Sequence, residues 1–193
     1  PAAAPAREPL GHVPAWRLVR TLKQMRGTAD VTVARVSRVT ADRLGFGADY
    51  LPVPDWIGMR LDEPFDLAAI APRSHSVADD LRRVRRDGWS AEVSHHAADF
   101  ASFYREMYVP LVRARHRAES VVRPARRLRR VFRRGGILWV RRDREPVAGF
   151  LFVQRHDVLE AVALGISGGD GSWLKAGVVA ALYVSMIDLA NDL

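Results

Sequence analysis

The chain has 193 residues, 48% of them hydrophobic, a formal net charge of +8 and no cysteine. That length and apolar content are enough to bury a core, which sets aside disorder and small disulfide-stapled scaffolds. Without cysteine, neither a disulfide nor a thiolate metal site can form. The positive balance predicts attraction to polyanions, whether nucleic acid, anionic lipid headgroups or phosphorylated ligands. Only Lys23 and Lys175 among the 30 basic residues are lysines, so the arginine excess is as readily a matter of coding composition as of chemistry.

The segment Pro1–Pro5 with Arg7, Glu8 and Pro9 lacks the apolar stretch of a signal peptide and is expected to be a flexible leader over residues 1–15, or a fragment boundary. Apolar Trp16, Val19 and Leu22, with basic residues between them, predict a short amphipathic helix over Trp16–Met25. From Ala29 to Val39, β-branched and polar residues alternate with period two, the pattern of a half-buried strand. Loops with short extended pieces are expected from Gly45 to Pro72, followed by a helix capped by Ser76 that turns Val77, Leu81 and Val84 inward and stops at Asp87-Gly88. Trp89–Val93 is read as a short strand.

The apolar spacing of Phe100, Phe103, Tyr104, Met107, Tyr108, Leu111 and Val112 predicts a helix over Asp99–Arg117, kinked or split by Pro110. A basic helix, Pro124–Arg134, follows and is stopped by Gly135-Gly136. Three strands then read as an antiparallel meander: Gly136–Arg142, a turn at Asp143-Arg144-Glu145-Pro146, Val147–Arg155, a turn at His156-Asp157, and Val158–Ser167. The loop Ser167-Gly168-Gly169-Asp170-Gly171-Ser172 leads into an apolar helix from Trp173 onward. The most apolar part of that helix, Ala176–Ile187, is twelve residues long, whereas a membrane span needs about 20, so a buried core helix in a cytoplasmic protein is the default. The chain stops at Leu193 inside this helix, with no glycine cap, and is expected to be a truncated piece.

The meander, glycine-rich crossing and long apolar helix together resemble the central part of the GNAT acyltransferase superfamily. The phrase Gly136–Phe150, in which a strand turns at a charged pair and the next begins Val147-Ala148-Gly149, resembles the characteristic hairpin of that family. Leu182–Ala190 resembles the helix end of its Fem-type and polysaccharide-locus branches. The resemblance covers Val77–Leu193 and implies an α/β (α+β) fold in which a meander is followed by an apolar helix packed on the sheet. Residues 16–93 would form a partial N-terminal GNAT-like half, and residues 94–193 an acyltransferase core lacking its last strands. The implied activity is transfer of an acyl or aminoacyl group from acyl-CoA or aminoacyl-tRNA to an amine or hydroxyl of a small-molecule or cell-envelope acceptor, by direct attack and without a metal. The rival reading is a noncatalytic arginine-rich module that binds nucleic acid or anionic membrane.

In members that bind coenzyme A, a polar residue, two residues, Gly, one residue and then a small residue open the helix. Laid on that pattern, Leu174–Leu182 keeps Gly177 and Leu182 but has Leu174 and Val179 at the polar and second small positions. The candidate donor-binding residues are Gly168, Gly169, Gly171, Ser172, Lys175 and Gly177, where backbone N–H groups and one ammonium meet an anion, or where a permissive loop closes a crossing. The candidate catalytic residues are Glu160, a lone carboxylate in an apolar strand whose burial would raise its pKa, and Tyr183, a possible proton donor on the last helix. For each, an ordinary strand or core residue is the competing reading. Thirteen arginines between Arg113 and Arg144 form either a polyanion-binding face or a solvated one. His95-His96 with His116 lacks a metal-ligand spacing, and Ser74-His75-Ser76 lacks a nucleophile elbow.

Overall fold

The computed structural model describes residues 11–46, 50–53, 60–61, 65–116 and 120–193, with His116 described in its backbone only. The chain divides into two compact units, Pro1–Met59 and Arg60–Leu193. The leader expected over residues 1–15 lies for its first ten residues outside the described ones.

In the first unit, a 3-10 turn at Ala15–Arg17 runs into α1 (Leu18–Gln24), whose Leu22 is the one buried side chain among the described residues there. The strand expected from Ala29 to Val39 does not form. Val31 and Val33 are 77% and 87% exposed, and no partner strand lies among the described residues of this unit. Alternation yields a strand only when one face is covered and the backbone is paired. Local capping dominates instead. Ser37 Oγ accepts the Thr40 N–H at 3.1 Å and starts α2 (Arg38–Leu44), and Gly45 ends it in the left-handed region.

The second unit opens with α3 (Leu67–Ile70), capped by Asp66, and then α4 (His75–Arg86). Ser74, two residues earlier than expected, caps α4 by accepting the Val77 N–H. β1 (Ser90–Ser94) precedes a continuous helical run: α5 (Ala97–Ser102), a π-helical stretch at Phe103–Tyr108, and α6 (Val109–His116). Pro110 does not split this run. The widened turns come just ahead of it, where the missing proline N–H deprives an earlier carbonyl of its partner. The basic helix is α7 (Ala125–Phe132).

The meander follows as β2 (Gly135–Arg142), β3 (Glu145–Arg155) and β4 (Val158–Ile166). Its two tight turns place Asp143, Arg144 and His156 at positive φ. The four strands form one antiparallel sheet in the order β1-β2-β3-β4, which makes the protein a mixed α/β fold. β1 pairs with β2, so residues 90–94 belong to this sheet, within the unit Arg60–Leu193.

The expected final helix is two helices. α8 (Gly171–Lys175) ends at Ala176, Gly177 breaks the helix at φ 85°, and α9 (Val178–Asn191) runs on. Helices cover both sheet faces, which explains why β2 and β3 are near-continuous apolar runs rather than alternating ones. On one face, Leu138, Val140, Phe150 and Phe152 pack with Val178 and Leu182 of α9. On the other, Ile137, Trp139 and Leu151 pack with Phe100, Phe103 and Met107 of the long helical run and with Leu128 and Phe132 of α7. Each such side chain taken fully out of water contributes about 1.5–3 kcal/mol. Among the described residues, no helix is long and apolar enough to cross a membrane.

Candidate functional site

The glycine-rich crossing is a compact turn. Gly168 and Gly169 sit at φ 61° and 69°, the left-handed region that favours glycine. A Cβ at Gly168 would meet nothing, whereas one at Gly169 would lie 2.7 Å from the Pro110 carbonyl carbon, so Gly169 holds the turn against α6. Asp170 then caps α8: its carboxylate accepts from Ser172 N–H at 2.8 Å and from Ser172 Oγ at 2.7 Å. These two hydrogen bonds from Ser172 stabilise the ionised carboxyl and hold its pKa below the ordinary carboxylate range.

An incoming pyrophosphate would therefore meet an ionised carboxylate in the place where the anion should sit. The exposed Lys175 lies in the last turn of a five-residue helix, and Gly177 belongs to the joint with the next one. Residues 168–177 therefore do not open a single helix: Asp170 caps α8, and Gly177 stands before α9.

Glu160 is exposed, with its Oε2 4.0 Å from Arg155 Nε, so it is not the buried carboxylate expected. Strand register places Glu160 opposite Val153, which is itself opposite Gly135. Directly paired residues share a face, so Glu160 is on the side of Trp139 and Leu151. Tyr183 is 49% exposed and stacks edge-on against Phe150 at 5.2 Å, on the opposite face. It is not the core tyrosine of the competing reading. The two candidate catalytic groups thus do not converge. A register shift in β4 leaves Val162 as an extra residue between Ala161 and Ala163, and Arg123 donates to its carbonyl at 3.2 Å.

Two cavities stand out in the second unit, and none of the residues singled out for catalysis or donor binding lines either. One, of about 570 Å³, lies between α3, α4 and α9 beside Asp188, whose pKa is raised by desolvation and by the neighbouring Asp192 charge. Asn191 braces it by exchanging two hydrogen bonds with the Phe65 backbone, at 3.2 and 3.4 Å. The other, of about 400 Å³, is bounded by α5, α7 and the start of β2, and its polar residues are His95, Arg129 and Arg133. Reasoning on the sequence missed this second cavity because its residues come from segments about 40 positions apart. The Gly135-Gly136 pair, read as a helix stop, was the available signal. Among the described residues, no three His, Asp or Glu side chains are grouped to hold a metal, and the side chain of His116 lies outside them.

No protein-family model and no curated protein matches the chain.

Proposed function

We propose that the second unit is a GNAT-like transferase that moves an aminoacyl or acyl group from an ester of a polyanionic carrier, such as aminoacyl-tRNA, to an amine. The observation that carries this reading is the order of elements around one antiparallel sheet: a strand, two helical segments, a three-strand meander, a glycine turn, and a helix laid on one face. The Val147-Ala148-Gly149 phrase sits on β3, where a Cβ at Gly149 would come within 2.9 Å of the Trp139 ring. The Asp170 carboxylate at the glycine turn favours the ester donor over acyl-CoA in this reading.

In the reaction, the acceptor nitrogen attacks the ester carbonyl carbon, the C–N bond forms and the C–O bond breaks. The carrier hydroxyl leaves with a proton, and the amine loses one. Tyr183, half exposed on α9, is the group proposed to supply the proton to the leaving oxygen. The test is aminoacyl transfer by the full chain from charged tRNA to an amine panel, with thermal shift as the binding readout. The reading expects a raised melting temperature with the charged donor, and a Tyr183→Phe variant that binds donor normally but turns over about 10²-fold more slowly. It is refuted if neither charged tRNA nor acyl-CoA shifts the melting temperature.

A second reading has its own observation. Arg126, Arg127, Arg129, Arg130, Arg133 and Arg134 are all exposed, and none makes an ion pair among the described residues. A noncatalytic polyanion-binding module predicts equal binding of charged and uncharged RNA with a steep salt dependence, and no transfer.

A further inference from the structure

From the cavity between α5, α7 and the start of β2, we infer a binding site for a small phosphomonoester with a flat apolar body. Its volume of about 400 Å³ falls in the range of small-molecule sites. Phe100 and Phe132, packed on each other with ring centroids 5.4 Å apart, line its inner side, so a flat apolar group would lie against them rather than between them. The polar residues at the cavity are Arg129, Arg133 and His95, and no carboxylate lines it.

The arginines are available to a ligand. The Arg129 guanidinium lies 5.4 Å over the Phe100 ring, a contact that orients it while leaving its N–H edges unspent. Arg133 makes no ion pair among the described residues, and no acidic residue occurs between Ser120 and Arg142. Asp99, the nearby acid on α5, does not line the cavity and accepts a hydrogen bond from Ser94 Oγ, which in turn accepts the His96 N–H at 3.1 Å. That pair fixes the corner that carries His95.

His95 is held in one orientation. Its Nδ1 is 2.9 Å from the Gly135 carbonyl oxygen, which can only accept, so Nδ1 carries the proton and Nε2 is left for a ligand. The strand start is built around this ring: a Cβ at Gly136 would come within 2.9 Å of the His95 side chain. Glycine inside a strand weakens it and marks a close approach, and here the approaching group is the histidine. Two guanidiniums beside an oriented imidazole match a phosphate dianion better than a monoanionic carboxylate.

The site does not rest on the transferase reading. Ile166 lies in the row of Ala148 and Val140, five residues along β2 from Gly135, so the glycine turn is about 17 Å away at the other end of the sheet. The test titrates the full chain with phenyl phosphate by calorimetry, with inorganic phosphate and benzyl alcohol as separate arms. Saturable binding of phenyl phosphate is expected, weakened about tenfold for inorganic phosphate and absent for benzyl alcohol. Arg129→Gln with Arg133→Gln should weaken phenyl phosphate at least about tenfold, and His95→Gln should weaken it severalfold. Arg126→Gln with Arg130→Gln, on the same helix but outside the cavity, should change it less than about threefold. Equal losses in the two arginine pairs, phenyl phosphate no tighter than inorganic phosphate, or no binding at all would each overturn the site. Survival of phenyl phosphate binding in a chain that fails aminoacyl transfer would separate this inference from the function proposed above.

Discussion

Two adjacent glycines at the end of β4 allow a test in which each variant controls the other. Gly168 and Gly169 share the left-handed backbone, so alanine at either should cost about 1 kcal/mol from Cβ crowding against the backbone. Only Gly169 faces a neighbour: its Cβ would lie 2.7 Å from the Pro110 carbonyl carbon and 2.8 Å from the Pro110 oxygen. These are backbone atoms in a long helical run, so they cannot swing aside as a flexible side chain would, and overpacking adds about 1–3 kcal/mol. Gly168→Ala should therefore lose about 1 kcal/mol and Gly169→Ala about 2–4 kcal/mol. At about 4 °C per kcal/mol, the melting temperature should fall by about 4 °C in the first case and about 8–16 °C in the second. Urea unfolding followed by tryptophan fluorescence measures both, and Gly168→Asn should be milder than Gly168→Ala because Asn tolerates the left-handed region. Equal losses, or a larger loss at Gly168, would refute the packing of this turn on α6.

Asp170→Ala removes the cap of α8 and should lower the melting temperature at neutral pH. The folded pKa of Asp170 is depressed, so its stabilisation is present above the ordinary carboxyl pKa and is lost as pH falls through the lowered value; wild type and variant should converge in strong acid. Asp188 has the opposite sign. Its folded pKa is raised by desolvation and by Asp192, so the stability it contributes is present below the ordinary carboxyl pKa and is lost as pH rises through the raised one. Asp188→Asn should gain no more than about 0.5 kcal/mol at neutral pH and nothing in acid, which paired thermal melts at the two pH values would check.

The meander was readable because two-residue turns leave little freedom in register, and because strands covered on both faces announce themselves as apolar runs. Three features were not readable, each for a different reason. The alternation from Ala29 to Val39 is a necessary condition for a strand, but pairing is the sufficient one, and Val31 and Val33 found no cover among the described residues. The break at Gly177 was obscured by apolar residues on both sides, since a helix pattern with one interior glycine looks continuous until that glycine adopts φ 85°. The π-helical stretch leaves the apolar spacing nearly intact, so periodicity cannot register it. For the candidate site, sequence reasoning found the chemically conspicuous residues, Glu160 and the glycine loop. It missed the convergent cluster of His95, Arg129 and Arg133, because convergence depends on the pairing of β1 with β2 and the return of α7.

Coding composition decides whether a positive charge is Arg or Lys; it does not decide whether an acid stands beside it. On α4, Arg82 meets Asp79 at 2.8 Å, and just past its end Arg86 meets Asp87 at 2.7 Å, the pattern of an ordinary solvated helix. On α7 the pattern reverses. Arg126 with Arg130, and Arg129 with Arg133 and Arg130 with Arg134 at and just past its end, are like charges about one turn apart, each costing a few tenths of a kcal/mol; Arg126 and Arg127 oppose the helix dipole in the first turn, whereas Arg129 and Arg130 in the last turn are favoured by it. The helix survives this because Leu128 and Phe132 are buried, and their transfer from water, about 3–6 kcal/mol together, exceeds a repulsion of about 1 kcal/mol. The stability of α7 thus comes chiefly from its apolar face, with the repulsion between its arginines offset only in part by the dipole at its C-terminal end. An arginine cluster with no carboxylate beside it is what the anion site inferred above requires, and the cavity at the end of this helix is where two of those charges meet Phe100 and Phe132.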